Sequence, residues 1–195
     1  MISVTFDQLF DTMRSLGHAV FVRGDFNLNL IGLRVFPETQ NKFDDVLCCA
    51  YRDGGAWRLQ QWPCTTDPGT FWLKNPMNVD GTACLVPGQY RRTYEIGTHK
   101  GYKALVQRAP VTVWRDANRD GVIDRTGPTQ TGMFGINIHR ANAETPSENV
   151  NKWSAGCQVL ADARHLTMLL DVVAKASIRY GPKITYTLID WPAKT

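Results

Sequence analysis

The sequence predicts a β-rich α+β domain with one helix near each end, and three observations carry that prediction. Strand-like segments bounded by Gly, Asn, Asp and Pro recur from about residue 18 to residue 139. Helical spacing of apolar residues occurs only near the two ends. No repeat, low-complexity tract or linker divides the 195 residues, which suffice for one domain with a substantial core.

The first helix is expected over Thr5–Gly17. Thr5 and Gln8 have capping-box spacing, Phe6, Leu9, Phe10, Met13 and Leu16 share a face, and Gly17 is a natural stop. Strands follow at Ala19–Arg23 and Leu28–Phe36, around a hairpin turn at Gly24-Asp25-Phe26-Asn27. A second hairpin joins Val46–Tyr51 to Ala56–Trp62 through Asp53-Gly54-Gly55. Pro63 to Gly88, rich in Pro, Gly, Asn and Thr, reads as mostly loop anchored by Phe71-Trp72-Leu73; a long ordered loop of this kind is a binding surface or lid. Further strands are expected at Tyr94–Gly97, Ala104–Arg108, Val111–Trp114 and Ile136–His139. Asp162 then caps a helix to about Arg179 that presents Leu166, Leu169, Leu170, Val173 and Ala174, with Gly181 beyond its end, and Ile184–Ile189 closes the chain as a strand.

Composition narrows the function. The chain is 43% hydrophobic and 21% charged, too apolar for intrinsic disorder. A formal charge of +4 with scattered Lys and Arg suits an anionic polymer such as cell wall, not nucleic acid. No apolar run reaches the roughly 20 residues of a membrane helix, and Met1–Asp7 lacks the basic and apolar regions of a Sec signal, which predicts cytoplasmic synthesis. The five cysteines have no metal spacing; Cys48 and Cys49 are adjacent and point to opposite faces of one strand, so a reducing compartment with mostly buried thiols is expected.

Asp116-Ala117-Asn118-Arg119-Asp120-Gly121-Val122-Ile123-Asp124 has the spacing of a calcium loop. Asp116, Asn118, Asp120 and Asp124 offer side-chain oxygens at positions 1, 3, 5 and 9, and Val122 offers its carbonyl. The twelfth position, usually a bidentate glutamate, is Gly127, and no helical pattern precedes Asp116. A structural Ca²⁺ and an Asx-rich turn that bonds its own amides are the two readings of this segment.

Chemistry is expected at Gly135-Ile136-Asn137-Ile138-His139 and at Ser154-Ala155-Gly156-Cys157, 18 positions after the histidine. Thiolate is the nucleophilic form of cysteine, and a histidine at a strand end can act as its base. Gly156 allows backbone and substrate to approach the sulfur, and the amides of Ala155, Gly156 and Cys157 are candidate oxyanion donors. The pairing predicts that Cys157 reacts below the pH of an ordinary thiol. His18, His99 and His165 read as solvent-facing or as satisfied neutral imidazoles, and Cys48 and Cys49 as core.

The segment Ile138-His139 … Ser154-Ala155-Gly156-Cys157-Gln158, followed by a helix, resembles the catalytic core of the L,D-transpeptidase family. Leu85-Val86-Pro87-Gly88-Gln89-Tyr90 is similar to that family's Thr-Pro-x-Gly-x-Tyr segment, and the likeness spans roughly residues 85–175. It implies a fold of mixed β-sheets or a β-sandwich, with Cys157 as nucleophile, His139 as base, and Ser154 and Gly156 as flanking motif positions. Ala155 replaces the family's second histidine, and Gln158 stands where an arginine is common. The implied reaction is attack on an amide of a peptidoglycan stem peptide to give a thioester, resolved by water or by an amine, with no cofactor for the chemistry. Ser154, Ala155, Arg140, Trp153 and Gln158 are the expected substrate contacts. A hydrolase stored in the cytoplasm and released onto the wall, as a bacteriophage endolysin is, suits the missing leader. A cross-linking transpeptidase and a non-enzymatic wall-binding module on the same fold are the alternatives.

Overall fold

The computed structural model describes residues 2–192. Its architecture is β-rich α+β, as expected, and where mixed sheets or a sandwich were implied it has a main sheet that closes on itself and a second small sheet. The strands are β1 (Asn29–Phe36), β2 (Asp45–Asp53), β3 (Ala56–Thr65), β4 (Thr82–Leu85), β5 (Gly88–His99), β6 (Tyr102–Gln107), β7 (Val111–Asp116), β8 (Thr129–Gly132), β9 (Ile138–Arg140), β10 (Gln158–Leu160) and β11 (Ile184–Pro192). The helices are α1 (Phe6–Ser15), α2 (Thr70–Lys74) and α3 (Ala163–Tyr180). Eight strands form a closed barrel in the order β1-β11-β5-β6-β9-β10-β3-β2, and β4-β7-β8 form a second, small sheet. The barrel therefore takes β1–β3 from the first part of the chain, whose role the sequence left open.

Closure follows from alternation. On β2, Leu47, Cys49 and Tyr51 join one apolar cluster, whereas Val46, Cys48 and Ala50 join another with Ile31 and Leu33 of β1. The adjacent cysteines thus face opposite sides, as their spacing predicts. Helix α1 covers the second cluster with Leu9, Phe10 and Met13 and begins at Thr5 with both bonds of the capping box. Helix α3, capped by the Asp162 side chain, lays Leu166, Leu169, Val172, Val173 and Ala176 on the first cluster. Burying one stripe of each helix is what makes a helix worth forming here.

Several expected elements differ, for identifiable reasons. Ala19–Arg23 is not a strand. Its backbone is satisfied by side-chain amides instead: Phe21 N–H and C=O bond Asn29, and Ala19 N–H and C=O bond Gln89. Gly24–Asn27 is accordingly no hairpin; the Asp25 carboxylate accepts from the amides of Gly54 and Gly55 in the β2–β3 turn. The segment from Pro63 to Gly88 is not mainly loop, since it completes β3 and contains α2 and β4. Strand β8, Thr-Gln-Thr-Gly, has no apolar alternation to announce it. The final helix does not directly follow Cys157, because β10 intervenes.

A polar layer crosses the interior. Arg34 is fully buried on β1; its Nε meets Asp67 and Thr66 Oγ1 at 3.0 Å each, and its Nη2 donates to the carbonyls of Thr66 and Leu85. Asp45 on β2 accepts from Val35 N–H at 2.8 Å and from Thr66 N–H and Oγ1 at 2.7 and 2.8 Å. Burial opposes the charge on Arg34, but Asp67, Cys84, Asp45 and Asp190 overcome it and raise its pKa. Across the barrel, the Tyr186 hydroxyl donates to Gln158 Oε1 at 2.8 Å. That hydroxyl lies where a side chain at residue 32 would be, so β1 needs Gly32.

Replacing Arg34 by Met keeps much of the volume but deprives buried Asp45 of its nearby cation and leaves Asp67 with Arg125 alone. Denaturant unfolding should show a loss of about 3–5 kcal/mol, the range for breaking one partner of a buried pair. Gly32→Ala, which overfills the space at Tyr186, should cost about 1–3 kcal/mol in the same assay.

Candidate active site

Cys157 ends a turn that the chain's small residues make possible. Ser154 Oγ donates to the carbonyl of Cys157 at 2.8 Å and accepts from Gly156 N–H at 3.1 Å, which closes the turn on itself. Gly156 has φ +120° and its α-carbon abuts the carbonyl of Ala83 on β4, so conformation and space both require glycine. The chain then enters β10, which pairs in parallel with β9 in the register Gln158↔Ile138 and Val159↔His139. This register sets Cys157 beside Asn137 and puts the sulfur and the His139 ring on the same face of neighbouring strands.

The sulfur rests between two backbone groups: the thiol donates to the carbonyl of Gly135 at 3.4 Å, and Asn137 N–H donates to Sγ at 3.4 Å. No hydrogen bond joins Sγ to His139 in this resting arrangement. Gln107 holds the segment that supplies these contacts. Its Oε1 accepts from the amides of Phe134 and Ile136, its Nε2 donates to the carbonyls of Gly132 and Ala109, and its backbone N–H donates to Asn137 Oδ1.

His139 is buried, with 3% of its surface exposed. Its Nδ1 lies 2.7 Å from the carbonyl of Arg140, which can only accept, so the proton is on Nδ1 and Nε2 is left as the acceptor for a thiol proton. The Tyr102 hydroxyl reaches the same carbonyl at 3.3 Å and Nδ1 at 3.2 Å. His99, at the end of β5, stacks on His139 with ring centroids 4.2 Å apart and planes 19° apart. Its Nδ1 accepts from Asn137 Nδ2 at 3.0 Å, while its Nε2 is buried without a partner. His99 is thus neither solvent-facing nor fully satisfied, contrary to expectation. Nothing in its Gly-Thr-His-Lys-Gly context signals a role; only the pairing of β5 with β6, and β6 with β9, brings it to His139. Asn137, Tyr102 and Gln107 were likewise unassigned from the sequence.

Electrostatics make the resting pair neutral. Burial, with smaller contributions from His99, Lys100 and Arg140, pushes His139 down to about 3 against the opposing bond from Arg140. Burial pushes the Cys157 thiol up, more than Asn137 N–H and Lys100 pull it down. The expectation of an unusually acidic thiol is therefore corrected: a thiol faces a neutral imidazole, and the proton must move as the sulfur attacks. Cys48, Cys49, Cys64 and Cys84 are buried and their thiols pushed up by burial, to about 12 for Cys48 and Cys84. Among the described cysteines only Cys157 is partly exposed.

The remaining predicted residues divide by position. Ala155 and Trp153 are at the surface of the turn, Trp153 with 41% of its area exposed. Gly156 does not offer a free amide, since Ser154 Oγ takes it; the amides of Ala155 and Cys157 donate to no described partner and are the ones free to hold an oxyanion. Ser154 and Gln158 are buried, which corrects their reading as substrate contacts. Gln158 points into the barrel, bonding Tyr186 and lying near the carbonyls of Thr66 and Gly156. Arg140 lies over the Tyr102 ring at 4.2 Å and lines a groove against α3, not the groove that contains Ala155.

The acidic segment folds as a turn bonded to its own amides. Asn118 Oδ1 accepts from Asp120 N–H, Asp120 Oδ1 from Val122 N–H, Asp116 Oδ2 from Asp124 N–H, and Asp124 Oδ1 from Thr126. Asp116 Oδ1 alone is buried without a partner. No group of three or more His, Cys, Asp or Glu is arranged to hold a metal ion among the described residues. Arg125 anchors the turn to the barrel through Glu38 at 2.8 Å and Asp67 at 2.7 Å.

No protein-family model, curated protein or solved structure matches this chain. The fold and the site define a β-barrel domain carrying one partly exposed cysteine beside an oriented, neutral histidine. No helix among the described residues is long and apolar enough to cross a membrane.

Two pH dependences follow. Alkylation of Cys157 by iodoacetamide should rise with pH through and beyond 9, the ordinary thiol value, without an earlier plateau. A midpoint well below that would mean a thiolate–imidazolium pair. For stability, His139 takes up its proton near pH 6.5 when unfolded but only near 3 when folded. Between those values the unfolded state binds the extra proton, so stability falls as pH falls, by about 1.4 kcal/mol per pH unit from this group. His139→Gln should flatten that acid limb in denaturant titrations.

Proposed function

We propose that this protein is a cysteine-dependent hydrolase of peptidoglycan stem peptides, with an L,D-transpeptidase-like catalytic core and an endolysin-like role. The observation that carries the reading is the pairing of β9 with β10, which seats the partly exposed Cys157 beside His139 with Nε2 free to accept. The quoted likeness of His139 and Ser154–Gln158 to that family supplies the substrate class.

In this mechanism His139 Nε2 takes the thiol proton as Sγ attacks the carbonyl carbon of a stem-peptide amide. The amides of Ala155 and Cys157 hold the oxyanion that forms. Its collapse breaks the C–N bond, and imidazolium returns the proton to the leaving amine, which leaves a thioester on Cys157. Water, deprotonated by His139, then releases the acid and restores the thiol. The Arg140 carbonyl keeps the imidazole in the required tautomer throughout, as a carboxylate does in related triads. An amine in place of water would give cross-linking or exchange through the same thioester.

Incubation with purified peptidoglycan and mass analysis of the products tests the proposal. Wild type should release new peptide termini, and Cys157→Ala and His139→Ala should each reduce this by at least about a hundredfold. Incorporation of an added D-amino acid would assign transpeptidation instead. Retention on wall material with unchanged products would leave a binding module and remove the hydrolase.

A further inference from the structure

Beside the catalytic turn, a groove of about 300 Å³ runs between the small sheet and the loop that supports the sulfur. It is lined by Met77, Ala83, Arg115, Met133, Phe134 and Ala155, among others. Two of these are chain neighbours of the chemistry: Phe134 precedes Gly135, whose carbonyl accepts from the thiol, and Ala155 lies two residues before Cys157. Met77 and Met133 are 72% and 57% exposed, so the groove has an apolar wall open to solvent.

Arg115 is the cation in this groove, and it is fixed rather than mobile. Its Nε donates to Gln130 Oε1 at 2.8 Å, its Nη1 donates to the carbonyl of Gly81 at 3.2 Å, and its guanidinium lies over the Phe134 ring at 4.6 Å. Nη2 has no hydrogen-bond partner among the described residues. No carboxylate forms an ion pair with it there either; Asp80, the acidic group that acts on it, is bonded instead to Gln130 Nε2 at 3.0 Å. Partial burial lowers its pKa, and Asp80 offsets this only in part. Of the other cations near the site, Arg140 stacks on Tyr102 and Lys152 on Phe71, and Lys100, which acts on Cys157 and His139, does not line this groove.

We infer that Arg115 is the specificity-determining residue of this site, binding a free carboxylate of the acyl-donor peptide while Met77, Met133 and Phe134 take its apolar stem. A planar guanidinium with an unused N–H edge suits a carboxylate, and an apolar floor strengthens the bond by excluding water. This places the substrate's anionic end across the small sheet and its scissile carbonyl at Cys157. The inference rests on the stem-peptide reading, since it names the part of that substrate the groove selects.

The test uses Cys157→Ala protein, which binds without turnover, and two synthetic stem tetrapeptides that differ only in a C-terminal carboxylate or carboxamide. The acid should bind about tenfold or more tightly than the amide. Arg115→Gln should remove that difference, with Arg115→Lys retaining part of it and both variants melting close to the parent. In otherwise wild-type protein, Arg115→Gln should raise KM for the acid while leaving kcat within a few fold. Equal binding of acid and amide, alongside cleavage of peptidoglycan by wild type, overturns the role of Arg115 alone. Absence of both binding and cleavage overturns the stem-peptide reading and this inference with it.

Discussion

The structure depends on a buried charge that four parts of the chain must satisfy together. Arg34 cannot shed its proton inside the barrel, so it draws Asp67, Thr66 and the Leu85 carbonyl to itself, while Asp45 ties Val35 and Thr66 into the same layer. An unpaired guanidinium at this depth would cost several kcal/mol, which makes the arrangement close to all-or-none. The β1–β2 edge, the end of β3 and the start of the small sheet are thereby set relative to one another.

That constraint reaches the reactive cysteine through Thr66 and Gln158. Thr66 is held by Arg34 and Asp45, and its carbonyl lies 3.5 Å from Gln158 Nε2; Gln158 in turn bonds Tyr186 across the barrel and approaches the Gly156 carbonyl. The turn that presents Sγ is therefore tied from beneath to the barrel's polar layer and packs closely against β4 at Ala83. Gln107 performs the matching task on the other side by pinning residues 132–136. The position of the sulfur is set in this way by side chains that lie beneath and beside the turn.

The same enclosure decides the protonation of the pair. A sulfur surrounded by backbone and a histidine packed between strands and a second imidazole both lose hydration, and each is driven to its neutral form. The sequence suggests pairing a thiol with an imidazole, but the β9–β10 register is what brings them together, and nothing local tells what surrounds them. An unusually acidic thiol was the natural expectation from the residues alone, and burial reverses it.

The sequence by itself determined the parts whose signals are local. Thr5 and Gln8 marked a capping box, Asp53-Gly54-Gly55 marked the β2–β3 turn, alternating residues separated Cys48 from Cys49, and the Leu166–Val173 spacing marked the last helix. It also singled out Cys157 and His139, because a small-residue turn before a cysteine and a histidine in an apolar run are both readable within a few residues. Only the tertiary structure decided that the sheet closes into a barrel, that Ala19–Arg23 bonds side-chain amides instead of a neighbouring strand, and that Gln158 and Ser154 face inward. Likewise His99, Gln107 and Arg115 come from strands more than 40 residues before Cys157, the first two through barrel pairings and Arg115 through the small sheet. Short-range propensity fixes what a segment is; which segments meet depends on satisfying buried charge and backbone across the whole chain, and that balance has no local signature.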